Sequence, residues 1–175
     1  QYAKYDFTPV YADKDAVYCK EYTFDISDLK PYVAIPPHPH NTMPVEEVGD
    51  VMVNSVFIGS CTNGTIDDMR IAASILKGNK VAPNVMVTVV PATRKVYGKM
   101  LEEGLLKVFY DAGAIVSNPG CGGCAQGQIG MTGKGEVQVS TSNRNFKGKQ
   151  GSGLTYLAGP VVAAASALAG KLTYK

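Results

Sequence analysis

The chain has 175 residues, 45% of them apolar and 18% charged, with a formal net charge of +2. That content fills one domain core and excludes a disordered chain, and the balanced charge gives no reason to invoke nucleic acid or a membrane surface. The longest apolar runs, 161–165 and 167–169, are far too short to cross a bilayer, and no secretory leader is visible at Gln1-Tyr2-Ala3-Lys4-Tyr5, so a cytoplasmic protein is expected.

The chain opens without methionine and reads as a piece of a longer subunit. Residues 1–50 form a lead-in rich in Tyr, Asp and Pro, with a mixed alternating stretch at 17–26 that predicts a strand. Five prolines in 31–44 impose extended loop, with a short strand at 32–35. From Val51 onward strands and helices alternate. Residues 51–58 are a compact apolar run ended by Gly59, a buried strand. Thr65 caps the following helix, Asp67 and Asp68 suit its positive end, and Met69, Ala72, Ala73 and Leu76 give it one apolar face before Gly78 stops it. A strand at 85–90, helices at 93–103 and 105–112, strands at 114–117 and 137–140, and a helix at 160–169 ending at Gly170 complete the series. Such alternation predicts an α/β fold, a mainly parallel sheet with helices on both faces. Ligands in these sheets sit beyond the carboxyl ends of the strands, so the loops 59–64, 117–127 and 140–150 are the places to look.

Those loops hold the chemistry. Gly59-Ser60-Cys61-Thr62-Asn63-Gly64 places a thiol just ahead of a helix start, where amide N–H groups favour thiolate; a buried structural thiol is the plain alternative. In Asn118-Pro119-Gly120-Cys121-Gly122-Gly123-Cys124, glycines beside each sulfur let backbone approach a bulky centre. The spacing suits two ligands of one metal centre, a dithiol redox pair, or half of a zinc site completed by Cys19 or a histidine. Cys19 lacks flanking glycines and is taken as a bystander. Three thiolates on a four-iron cube leave one iron without a protein ligand, as a catalytic cluster requires. The third loop runs Ser140-Thr141-Ser142-Asn143-Arg144-Asn145-Phe146-Lys147-Gly148-Lys149-Gln150-Gly151. Its Arg144 is suited to a carboxylate, Asn143 and Asn145 to sulfur or neighbouring loops, and a solvated basic loop is the plain alternative. His38 and His40 face one side of an extended segment, more often a packing loop than a metal site.

Together, Gly-Ser-Cys-Thr-Asn, the later Cys-x-x-Cys and Ser-x-Ser-Asn-Arg-Asn-Phe-x-Gly resemble the iron–sulfur domain of the aconitase superfamily, in particular large subunits of 3-isopropylmalate dehydratases and their relatives. The likeness extends to Tyr11-Ala12-Asp13, Leu29-Lys30-Pro31 and Ala163-Ala164-Ala165, over nearly the whole chain. It implies a single cluster-binding domain over 1–175, with 1–50 as lead-in and 51–175 as α/β core. It implies Cys61, Cys121 and Cys124 as ligands of a [4Fe–4S] cluster and Arg144 as a substrate-carboxylate ligand, with Asn143 beside it. Lys149 stands where aconitases usually carry a second substrate-binding arginine, which keeps the charge and loses the planar fork. The implied activity is a hydro-lyase isomerising 2-isopropylmalate to 3-isopropylmalate by dehydration and rehydration. Dimethylmalate, homoaconitate and citrate chemistries stay open, as does a non-catalytic zinc or redox domain. An RNA-binding regulator is disfavoured by the missing basic–aromatic pattern. The implied partners are a small hydroxy-di- or tricarboxylate, N-terminal domains of the same subunit, and a separate small subunit. The catalytic base is expected on those other parts, so the isolated chain is expected to be inert.

Overall fold

The computed structural model describes residues 5–175; the first four, part of the opening read above, lie outside it. Seven strands form one sheet in the order β2-β1-β7-β6-β3-β4-β5. The strands are β1 (Tyr32–Ala34), β2 (Thr42–Pro44), β3 (Ser55–Gly59), β4 (Met86–Val90), β5 (Ile115–Val116), β6 (Val137–Ser140) and β7 (Leu154–Ala158). The five from β7 to β5 across the sheet pair in parallel, and β1 and β2 extend it antiparallel at one edge.

The helices are α1 (Ser60–Asn63), α2 (Ile66–Leu76), α3 (Arg94–Glu102), α4 (Leu105–Ala112) and α5 (Pro160–Ala169). α2 starts where its chemistry directs. Thr65 accepts the Asp68 N–H on its hydroxyl while the Asp68 carboxylate takes the Thr65 N–H, a reciprocal cap of two otherwise orphaned donors. α4 and α5 stop at Gly113 and Gly170, both left-handed. Alanines on α5 (Ala163, Ala164, Ala167) and on α2 (Ala72, Ala73) let those two helices approach closely over β3.

Alternation along the strands assigns the faces. Val56, Ile58, Val87, Val89 and Val139 join α2, α4 and α5 in one buried core. On the opposite face Phe57, Thr88, Val90, Gln138 and Ser140 are also buried, beneath irregular chain. The α/β class and the mainly parallel sheet with helices are as expected, and the core helices α2, α3, α4 and α5 pack with the Val56 face. The reason is topological. From β3 to β4 to β5 the chain steps one way, so right-handed crossovers keep α2, α3 and α4 on one face. From β5 it returns past β3 to β6 and then β7, and the same handedness sends 117–136 and 141–153 across the other face.

Three strand positions differ from expectation, the first being β2, which forms within the proline-rich stretch read as loop and pairs with β1. Residues 17–26 form none: Tyr18, Tyr22, Phe24 and Ile26 are exposed and the segment pairs with nothing described, and an unpaired strand leaves its backbone groups unbonded. β7 forms where none was expected, pairing β6 on one side and β1 on the other. No helix among the described residues is long and apolar enough to cross a membrane.

Candidate functional site

β3 and β6 are neighbours whose onward connections leave in opposite directions, which opens a crevice beyond their carboxyl ends. Cys61 enters it from β3, Asn143 and Arg144 from β6, and the Cys121–Cys124 turn crosses above β3 and β4.

The approach to Cys61 is sharp. Gly59 has φ +129, and a Cβ on it would sit 2.0 Å from the Val90 carbonyl oxygen. Ser60 follows at φ +69, a left-handed conformation rare for a side-chain-bearing residue and costing about 1–3 kcal/mol. Its hydroxyl is fully buried and accepts the Thr62 N–H at 3.3 Å. Cys61 therefore lies inside a separate helical turn, ahead of the Thr65 cap, rather than on a loop leading into α2, and it is exposed.

The second thiol pair rides on a 3-10 turn at Gly122–Cys124. This turn is seated directly on the sheet: a Cβ on Gly122, at φ +51, would fall 2.7 Å from two ring atoms of Phe57. The Gly120 N–H donates to Pro91 O at 3.1 Å and fixes the approach. The α1 turn and this turn come within 8 Å of each other, Cα to Cα. Cys121 is exposed and Cys124 half-buried, and all four cysteines are free thiols.

The loop after β6 completes the crevice. Cys124 Sγ–H points at Asn143 Oδ1, 3.9 Å away. Lys149 Nζ donates to the Cys124 carbonyl at 2.5 Å, so its cation holds the cysteine turn. Asn145 is buried and donates to Ala34 O at 3.2 Å, tying the loop to β1 rather than to a sulfur. Arg144 is exposed and makes no hydrogen bond or ion pair among the described residues, leaving its five donors open to an anion.

Thr141 carries no mark in the sequence beyond following a strand, yet it joins two of these loops. Its hydroxyl accepts the Gly59 N–H at 2.7 Å, and its own N–H donates to Phe57 O at 3.0 Å.

The donor set is thiol-rich, glycine-lined and backed by an amide and cations, which fits a bulky sulfur-bound centre. Among the described residues no three His, Cys, Asp or Glu gather closely enough for a single metal ion. A single zinc ion needs its donors within about 2.3 Å of the metal, whereas a cube several atoms wide spreads its ligands farther. Cys19 lies on the exposed lead-in with no partner role at the crevice. His38 and His40 stack with ring centroids 5.1 Å apart on the β1–β2 turn, with no third ligand among the described residues.

The model of the aconitase family (aconitate hydratase) matches residues 46–170. The 3-isopropylmalate dehydratase large subunit of Halothermothrix orenii is 47% identical over 98% of the chain and 41% of its own length. That of Desulfatibacillum aliphaticivorans is 50% identical over 92% of the chain and 39% of its length. A probable 3-isopropylmalate dehydratase large subunit of Methanothermobacter thermautotrophicus is 50% identical over 93% and 39%. The chain thus spans about two fifths of the length of these relatives. The turns that carry Cys61 and Cys124 approach one another beside the β3/β6 crevice, and the family match over residues 46–170 together with relatives 47–50% identical leads to one conclusion: the chain belongs to the aconitase family.

Proposed function

We propose that the 175 residues are the cluster-bearing domain of a longer hydro-lyase subunit that isomerises 2-isopropylmalate to 3-isopropylmalate. Cys61, Cys121 and Cys124 hold a [4Fe–4S] cluster, and Arg144 takes a substrate carboxylate. The observation that carries this is the meeting of the Cys61 turn and the Gly122–Cys124 turn at the crevice where Arg144 stands unpaired. The names of the relatives support the substrate.

When bound, the cluster supplies a Lewis-acidic iron for the substrate hydroxyl. The chain's own residues position the acid. Arg144 grips a carboxylate through parallel N–H donors and fixes which carbon faces the metal. Asn143 stands next to Cys124 and lends its amide to the sulfur side of the crevice. Lys149 secures Cys124 through its carbonyl and adds positive charge near the bound dianion. No described side chain here is placed as the base, so the proton is removed by a group from other domains or from a small subunit. Extensive exposed apolar side chains on the lead-in support such domains: Val10 is 95% and Val17 96% exposed, on a segment that touches little of the core. Four free thiols suit a reducing compartment such as the cytoplasm.

Iron and sulfide analysis of anaerobically prepared protein tests the cluster. Four irons and four sulfides per chain are expected, lost in Cys61→Ser, Cys121→Ser or Cys124→Ser and kept in Cys19→Ser. A cluster that survives any of the first three substitutions overturns the assignment. A panel of isopropylmalate, dimethylmalate, homocitrate and citrate with the complete enzyme tests the substrate, and turnover of citrate alone refutes the isopropylmalate assignment.

A further inference from the structure

A chain of buried polar groups runs beneath the cysteine turn. Ser140, Ser142 and Gln150 are 0%, 7% and 3% exposed. The Ser140 hydroxyl donates to Ser142 Oγ at 3.1 Å, and the Ser142 hydroxyl donates to Gln150 Oε1 at 2.7 Å. That relay fixes which way the Gln150 carboxamide faces. The Gln150 main-chain carbonyl is pinned as well, accepting the N–H and the hydroxyl of Thr132, each at 2.7 Å.

With its oxygen committed, the carboxamide turns Nε2 toward the cysteine turn. A Cβ on Gly123 would lie 2.9 Å from that nitrogen, so the amide abuts the backbone between Cys121 and Cys124. Nε2 is buried and has no hydrogen-bond partner. An unpaired buried donor costs about 1–3 kcal/mol, and native structures rarely leave one without an acceptor. The other two unpaired buried side-chain atoms among the described residues are Gln138 Oε1 and Asn145 Oδ1. Both are acceptors with nothing to offer an anionic sulfur, and their own amide nitrogens are engaged with Gly130 O and Ala34 O. Of these three side chains only Gln150 leaves its amide nitrogen with no partner at all, and it does so at the residue between the two thiols.

We propose that Gln150 is a positioning residue for the iron–sulfur centre, its Nε2–H donating to sulfur on the inner side of the Cys121–Cys124 turn. This rests on the cluster assignment above. Donors to cluster sulfur stabilise the more negative, reduced state and so raise the reduction potential. Ser142 acts through Gln150 by holding the carboxamide in place.

The test is potentiometry on the full chain reconstituted anaerobically with iron and sulfide, in wild type, Gln150→Met, Gln150→Glu and Ser142→Ala. Met keeps the length and removes the donor; Glu removes it and adds negative charge. At equal iron and sulfide content, the midpoint potential should fall in Gln150→Met, further in Gln150→Glu, and by less in Ser142→Ala. Potentials equal to wild type in Met and Ser142→Ala, with only the melting temperature lowered, reduce Gln150 to a structural side chain and overturn the proposal. If wild type itself takes up no cluster, the cluster assignment fails and this inference with it, an outcome separate from an intact cluster at unchanged potential. Should the Glu variant fail to fold, the Met and Ser142→Ala comparison decides.

Discussion

Thr141 and Gly59 lie 82 positions apart and are joined by a buried 2.7 Å hydrogen bond from the glycine N–H to the threonine hydroxyl. The same hydroxyl lies 3.3 Å from Gly59 O. Because Gly59 leads to Cys61 and Thr141 leads to Asn143 and Arg144, one side chain sets the spacing of two walls of the crevice. Thr141→Val preserves shape and leaves the Gly59 N–H without a partner. A loss of about 1–3 kcal/mol is expected in denaturant unfolding, and Thr141→Ser should recover most of it. In anaerobic samples the Val variant should also release iron to a chelator faster than Thr141→Ser.

Gly122 offers a steric test of how the cysteine turn is seated. A methyl there meets two Phe57 ring atoms at 2.7 Å and Val90 Cγ2 at 2.9 Å, and the backbone sits at φ +51. Left-handed strain of about 1–2 kcal/mol adds to overpacking of about 1–3 kcal/mol. Gly122→Ala should therefore lose roughly 2–5 kcal/mol on those two effects. Gly120→Ala, where a Cβ meets nothing within 4 Å, should change stability by no more than about 0.5 kcal/mol. Adding Phe57→Leu to Gly122→Ala should cost less than the two separate losses together, because the ring is one of the colliding partners.

What the sequence discloses about this fold is its local chemistry. Thr65 with Asp68, the stop at Gly170 and the apolar runs of β3 and β4 depend on neighbours in the chain, so they are legible by pattern. β7 is not, because its buried Thr155 breaks the apolar alternation and its existence rests on pairing with β6 and β1. The lead-in at 17–26 misleads for the converse reason: it has the alternation and no partner. Strand-and-helix counting also cannot show that the return from β5 to β6 would carry irregular chain over the second face, since that follows from strand order. At the site, the cysteines and Arg144 stand in recognisable motifs. Thr141's bridge and Gln150's open amide depend on how separate segments pack, and Ser60's left-handed turn on local backbone conformation, and no residue spacing announces them.

Arg70 joins α2 to the end of α3, donating to Glu103 at 2.6 and 2.8 Å and to Asp67 at 2.7 Å. The guanidinium holds the Glu103 carboxyl below its ordinary value. A carboxylate with a depressed folded-state pKa adds stability above its unfolded pKa, near 4.3, and loses it as pH falls through the lower folded value. Glu103→Gln should therefore be slightly less stable than wild type at neutral pH and indistinguishable from it once Glu103 is protonated in acid. Because the pair is exposed, added salt should shrink the neutral-pH difference. Unfolding curves at two ionic strengths, taken down to acid pH, check both statements.

Arg144 separates stability from function. It is exposed and bonded to nothing described, so Arg144→Ala should leave unfolding free energy within about 0.5 kcal/mol of wild type. In the complete enzyme it should behave quite differently. A charge-assisted bond to a carboxylate is worth about 1.5–3 kcal/mol, which predicts a fall in kcat/KM of roughly 10- to 150-fold. Arg144→Lys keeps the charge and loses the planar fork, so it should recover only part of that loss. Lys149 gives the contrasting case, since its ammonium is bound to the Cys124 carbonyl. Lys149→Met should hasten iron release to a chelator, whereas Arg144→Ala should not. A carboxylate grip at Arg144 and an anchor at Lys149 predict that split, and equal iron-release rates in the two variants would show that Lys149 does not secure the turn.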